Sequence, residues 1–386
     1  MFPLHPFFCI VVFTIAFTTA YCINLLLKPS QLNERYQTID GLRGFLAIGV
    51  FIHHATIWHQ YINTGIWEAP KSNLYNHLGQ TSVAFFFMIT SFLFVTKLIN
   101  SKEKEFNWKA FYISRIFRLV PMYYVSLCLL ILYVMIKSDW QLQVGISSFL
   151  ASLFHWFAFT ITTNPYINNS EFTIFINGGV VWSLPFEWLF YFSLPLISLF
   201  ILKAKPNRFY IALGFVFITT YMIVHGIQFR YILTFAGGAI APFIIKYGKY
   251  KIKFESNLIS CLILICLFLI IQFESTDNVF CKLVITIIFT LIALGNTLFG
   301  VLKSKSLQIL GTISYSTYLL HGLLLFTVFY FGFGIEKTKQ YTPFEYCLVI
   351  FLMTPILVLI SFLGYKYIEK PFIEIAKRLT KKLELK

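Results

Sequence analysis

Charged residues are scarce in this chain of 386 residues. Asp, Glu, Lys and Arg make up 12% of it, and 58% is apolar, with a mean hydropathy of +0.74. A soluble globular domain has about 25% charged and about 45–50% apolar residues, so this chain lacks the polar surface needed to face water. A disordered chain is excluded too, because disorder requires low hydrophobicity. The composition predicts an all-α polytopic membrane protein.

Acidic residues are the scarcer of the two charged classes, with 16 Asp and Glu against 31 Lys and Arg. In a membrane protein such an excess marks cytoplasmic loops, so we predict a lipid bilayer and no nucleic acid as partner. The seven cysteines have no CxxC spacing and are odd in number. We therefore predict neither disulfides nor a metal site.

Long apolar runs recur along the whole chain. They predict about ten core transmembrane helices, one extra N-terminal helix and one re-entrant segment at 146–163. We divide the chain into an extra N-terminal helix (1–30), a transmembrane domain (31–372) and a basic cytoplasmic tail (373–386). The predicted spans are 7–27, 44–62, 80–99, 117–136, 180–202, 209–225, 228–245, 257–273, 279–301, 309–333 and 344–366.

The distribution of Lys and Arg predicts the orientation. Basic clusters should be cytoplasmic, as should the C-terminus. A full crossing at 146–163 would put the later clusters outside, so we expect no net crossing between 138 and 177. The clusters fall at 28–43, 97–118, 203–208, 246–253, 303–305 and 366–382.

Three predicted helices each carry one titratable side chain near the middle of the membrane: His54, Glu187 and His321. Such groups are costly in lipid and mark functional sites. Arg43 and His54 are eleven residues apart, which places them on one helix face with a rise of about 16 Å. The alternatives are that these side chains only join helices, or that they form a proton relay in a transporter.

Arg115 and Arg118 are three residues apart at the cytoplasmic start of a span. With Arg43 they form a candidate phosphate socket, because the guanidinium fork donates two parallel hydrogen bonds. The alternative is anchoring to lipid headgroups. Several hydroxyl groups are candidates either to orient the titratable residues or to join helices. They belong to Ser314, Tyr315 and Tyr318.

Five short motifs in order resemble the acyltransferase 3 family of integral membrane acyltransferases. They are Asp40-Gly41-Leu42-Arg43 with His54, Ser114-Arg115-Ile116-Phe117-Arg118-Leu119-Val120-Pro121, Trp182-Ser183-Leu184 with Glu187 and Tyr191, Ile313-Ser314-Tyr315-Ser316-Thr317-Tyr318 with His321, and Glu369-Lys370-Pro371. Because they belong to these motifs, Asp40 and Ser183 are also predicted to be supporting residues of the site.

The resemblance implies a multi-pass enzyme of the bacterial cytoplasmic (inner) membrane. It implies transfer of an acyl group, most often acetyl from cytoplasmic acetyl-CoA, to a hydroxyl of a cell-surface polysaccharide or glycolipid. Arg43 and His54 match the arginine and histidine that the family needs for activity. The competing class is a proton-coupled transporter or a flippase of a glycan or lipid precursor.

Helix geometry agrees with this chemistry. We expect the donor phosphates on Arg43, Arg115 and Arg118, and the thioester near His54, which serves as general base or acyl carrier. Glu187 is expected to orient His54 or raise its pKa. The predicted catalytic residues are His54, Glu187 and His321.

Overall fold

The computed structural model describes residues 3–27, 36–101, 106–203, 205–248 and 254–384, and every regular element in these ranges is helical. The first eight α-helices are α1 (Pro6–Leu27), α2 (Gln37–Thr64), α3 (Asn73–Asn100), α4 (Trp108–Lys137), α5 (Ile146–Phe157), α6 (Phe172–Ile176), α7 (Leu184–Ile201) and α8 (Arg208–His225). The others are α9 (Phe229–Tyr247), α10 (Asn257–Ile271), α11 (Val279–Ala293), α12 (Lys305–Thr312), α13 (Ser314–Phe326), α14 (Ile335–Thr338), α15 (Pro343–Gly364) and α16 (Lys370–Glu384).

Each predicted apolar run coincides with a helix or a bent helix pair, which confirms an all-α polytopic membrane protein. Within the described ranges, seven helices are long and apolar enough to cross a membrane. The number is eight if α12 and the helix following it, bent by 70°, form one span. At 15 residues, α10 and α11 are only about 22 Å long, short of a hydrocarbon core of about 30 Å. The figure of ten core spans stays a prediction.

α2 packs closely against α12, and glycine makes the approach possible. A Cβ atom added to Gly44 would lie 2.5 Å from the backbone oxygen of Leu307, and one added to Gly311 of α12 would lie 1.9 Å from that of Asp40. The chain then bends sharply before α13, and α13 also packs on α2. This bend brings the polar start of α13 beside the α2 face that carries Arg43 and His54.

The segment between α4 and α7 makes an excursion and returns to the same end of the bundle. α5 has 12 residues and is about 18 Å long, too short to cross. The Tyr123 hydroxyl, midway along α4, donates to the Trp156 carbonyl (2.6 Å) at the end of α5. Asn168, after the return, accepts from the Gln143 backbone N–H (2.8 Å) and donates to the Gln141 carbonyl (2.9 Å). The re-entrant character of 146–163 stays a prediction, which the labelling experiment below tests.

The extra helix α1 is part of the bundle. Phe8, Val12, Ala16 and Ala20, spaced by four residues, are each fully buried where α1 packs against α12 and α15. A four-residue spacing keeps side chains on one helix face, so this stripe is the docking face.

Several sequence predictions fall beyond the described ranges. The boundary between residues 30 and 31 is one. The others concern basic residues assigned to cytoplasmic loops, namely Lys28, Arg35, Lys102, Lys104, Lys249, Lys251 and Lys253.

Candidate active site

A cavity of about 150 Å³ lies between α2, α3, α4, α7 and α13. Arg43, Arg115 and Arg118, the three arginines singled out in the sequence, all line it. Two different helices therefore bring their guanidinium groups to one space. The other predicted site residues that line the cavity are Ser183, Glu187, Ser314, Tyr315 and Tyr318.

The three arginines have different partners. Arg118 forms a 2.8 Å salt bridge with Glu369, whose side chain is fully buried and also accepts from the Ser316 hydroxyl (2.5 Å). Arg43 lies 3.7 Å from Asp40. In the sequence, Glu369 stands out only as part of the Glu369-Lys370-Pro371 motif. The feature that could have indicated its burial is its position just past the last predicted span, 344–366.

Of the three cavity arginines, Arg115 is the one for which the described residues include no carboxylate partner. Its guanidinium lies 4.8 Å from the centre of the Phe94 ring and donates to the Ser114 hydroxyl (3.1 Å). Its Nε atom and the Ser314 Oγ atom are buried without a hydrogen-bond partner. Buried polar atoms are nearly always paired, so two unpaired ones on the wall of one cavity indicate a place for a polar ligand.

The charge of the wall suits an anion. Three arginines and one carboxylate, Glu187, line the cavity. Glu187 accepts a short hydrogen bond from the Tyr191 hydroxyl, one helical turn further along α7. The expected pairing of Glu187 with His54 is therefore not what the structure shows, because α7 turns this carboxylate toward the arginines.

Ser183 and Tyr318 line the cavity and extend the site toward His321. The Tyr318 hydroxyl donates to the Val180 carbonyl (2.8 Å), so the Ser183 hydroxyl, 2.8 Å away, donates to the Tyr318 oxygen. Tyr318 and His321 lie on one face of α13, with ring centres 6.1 Å apart. Tyr315 instead donates to the Leu119 carbonyl (2.8 Å) and joins α13 to α4.

His54 and His321 form a pair, with His54 Nδ1 3.2 Å from His321 Nε2. His54 Nδ1 is also 2.9 Å from the Val50 carbonyl, and His321 Nδ1 is 3.1 Å from that of Thr317. Because a carbonyl can only accept, both Nδ1 atoms carry the proton. The single His54 Nδ1–H is thus shared between the Val50 carbonyl and the His321 Nε2 lone pair, and the proton-free nitrogen of a neutral His54 is Nε2.

The backbone between α6 and α7 closes over this pair. Gly178 has φ +68° and lies against the His54 ring, because a Cβ atom added to it would be 3.2 Å from His54 Cδ2. A Cβ on Gly322 would lie 2.2 Å from the Asn177 carbonyl group. His53 is turned away, with Nδ1 2.8 Å from the Tyr75 carbonyl, as its helical phase predicts.

The fold and this site together define a polytopic membrane protein with an arginine-lined cavity near a buried histidine pair. A family model described as an acyltransferase domain matches residues 36–365. The chain therefore belongs to the acyltransferase 3 family. α1 precedes the matched region.

Curated relatives are consistent with the family. A protein of Staphylococcus aureus strain COL, named a putative O-acetyltransferase, is 26% identical over 373 residues, covering 86% of this chain and 56% of that protein. One of strain N315 with the same description matches equally. Nodulation protein 10 of Rhizobium leguminosarum bv. viciae is 25% identical over 170 residues, 41% of this chain and 43% of that protein.

The chain spans about half the length of the curated relatives it matches. No solved structure matches it. Together the family and its relatives support an O-acyltransferase in a membrane.

Proposed function

We propose that this protein transfers an acyl group, most often acetyl, from cytoplasmic acyl-CoA to a hydroxyl of a cell-surface polysaccharide or glycolipid. The observation that carries the proposal is the cavity itself. It has three arginines on its wall, and Tyr318 connects it to the His54–His321 pair. An arginine cluster suits the phosphates of CoA, and a histidine with a proton-free nitrogen suits removal of a hydroxyl proton.

Donor binding is assigned to Arg43, Arg115 and Arg118. The phosphorylated head of the donor lies against them, and its thioester arm follows the α2 face toward His54, about 16 Å further along. The Arg115 Nε and Ser314 Oγ atoms have no hydrogen-bond partner in the protein, so both are available to the donor. Glu187 limits the net positive charge of the cavity.

The chemical step is assigned to His54. Its Nε2 accepts the proton of the acceptor hydroxyl, whose oxygen attacks the thioester carbonyl carbon. The new C–O bond forms as the C–S bond breaks, and the proton passes to the sulfur of the departing CoA. His321 is a positioning residue, because its Nε2 accepts from His54 Nδ1–H and stabilises the positive charge that His54 gains.

The test is acyl transfer by purified protein in lipid nanodiscs with acetyl-CoA, followed as release of the CoA thiol. Acetyl groups on the surface glycans of wild-type and deletion cells are compared by mass spectrometry. We expect the purified protein to release CoA thiol only when an acceptor is present. We expect the surface glycans of cells that lack this protein to be lighter by one acetyl group. Proton-coupled uptake without thiol release would indicate the transporter instead.

Arg115→Ala separates donor binding from chemistry. A charge-assisted contact contributes about 1.5–3 kcal/mol, so the KM for acetyl-CoA should rise roughly ten- to a hundredfold with kcat little changed. Arg115→Lys should recover part of this, since it keeps the charge and loses the fork. An unchanged KM with a reduced kcat would remove Arg115 from the donor site.

A further inference from the structure

A second cavity, of about 200 Å³, lies beside the first one. Val83 and Phe87, one turn apart on α3, line both cavities. Trp182 lines the second cavity, and the next residue, Ser183, lines the first. The two cavities therefore share part of one wall.

The second cavity lies toward the opposite end of the bundle from Arg43. Gln80, in the second turn of α3, and Arg230, in the first turn of α9, both line it. α3 runs antiparallel to α2, and Arg43 is in the second turn of α2. In the predicted orientation this end faces outward, where a surface glycan would approach.

Two aromatic rings form one part of the wall. The Trp182 and Tyr231 rings have centres 5.3 Å apart, and Trp182 is 40% exposed. Exposed aromatic rings with a few convergent polar groups are typical of pockets for small polar molecules. The C–H face of a sugar ring packs on such an aromatic surface, and its hydroxyls remain free for hydrogen bonds.

Charged and amide groups form the other part. Asp277 accepts from Arg230 and from Lys282, each at 3.1 Å. Burial acts to raise the pKa of Asp277, but these two cations outweigh it and hold the pKa below its ordinary value. Gln80 accepts through Oε1 from the Thr276 backbone N–H (3.1 Å). Two cations against one carboxylate leave the cavity with a net positive charge.

We infer that the second cavity is the acceptor subsite and binds a sugar ring that carries a carboxylate or a phosphate. The inference rests on the proposed function, since it names the acceptor class of that reaction. Trp182 and Tyr231 hold the ring, and Arg230, half exposed, reaches its anionic group. A hydroxyl on the same or the next ring then lies one turn of α3 from the donor cavity.

The test is binding in nanodiscs by calorimetry without any acyl-CoA, so its result is independent of whether transfer occurs. The probes are trigalacturonate, which carries carboxylates, glucose 6-phosphate, and neutral maltotriose. We expect at least one anionic probe to bind more tightly than maltotriose, and the better of the two identifies the anionic group. Equal binding of all three, or binding of none, would overturn the inference.

Arg230→Gln should weaken binding of the anionic probe roughly tenfold, as one charge-assisted contact is lost, and leave maltotriose binding unchanged. Trp182→Leu should weaken both. Arg208→Gln, at the start of α8 and the opposite end of the bundle, is the matched control and should change neither. Melting temperatures check that each variant folds. If Arg230→Gln does not fold, Lys282→Gln removes the other cation of the cavity and is tested in its place. Anionic binding that survives both charge removals would contradict the site.

Discussion

The ion pair between Arg118 and Glu369 makes a sharp prediction about stability. Glu369 is fully buried and has the Ser316 hydroxyl as its other partner. Arg118→Ala would leave a buried carboxylate with one neutral donor. Breaking a buried pair from one side costs about 3–5 kcal/mol. Arg118 itself is 17% exposed at the cavity, so we expect the lower end, about 3 kcal/mol.

Glu369→Gln in the Arg118→Ala protein should restore most of this loss. Glutamine is neutral and still accepts from Ser316, so no buried charge remains unpaired. We expect a coupling free energy of about 2 kcal/mol between the two positions in a double-mutant cycle. The assay is reversible unfolding of the four proteins in detergent micelles, followed by circular dichroism.

Arg378→Ala, an exposed arginine on α16, is the control and should stay within about 0.5 kcal/mol of wild type. Additive losses from Arg118→Ala and Glu369→Gln would refute the reasoning, because they would mean that neither charge depends on the other. In the restored double variant, the KM for acetyl-CoA should remain roughly ten- to a hundredfold raised. An unchanged KM there would assign Arg118 to structure alone.

Three further outcomes are expected. His54→Ala should abolish thiol release at normal expression while His53→Ala keeps much of it, and equal loss in both would contradict the assignment. Gly322→Ala should reduce the rate at least tenfold, because its methyl group meets the Asn177 backbone beside the histidine pair; wild-type kinetics would show that this backbone does not position His54. In a cysteine-free protein, a cysteine in place of Asn169 should react with an impermeant reagent from outside, and labelling from the cytoplasm would show that 146–163 crosses the membrane.

Much of this protein follows from its sequence. Scarce charge and long apolar runs determine a helical membrane protein, because lipid leaves no other partner for the backbone. Helical period places Arg43 and His54 on one face of α2 and turns His53 away, since side-chain direction within a helix depends only on residue spacing. The same spacing puts Tyr318 and His321 on one face of α13.

Which side chains pair across helices was decided by the tertiary structure. His54 and His321 are 267 positions apart, and Ser316 and Glu369 are 53 apart. The partner of Glu187 was decided in the same way, since the structure pairs this carboxylate with the Tyr191 hydroxyl. Depth in the membrane follows from residue count, but the rotation of one helix against another is set by packing. Here close contacts such as that of Gly322 with Asn177 set the rotation, and no single helix contains that information.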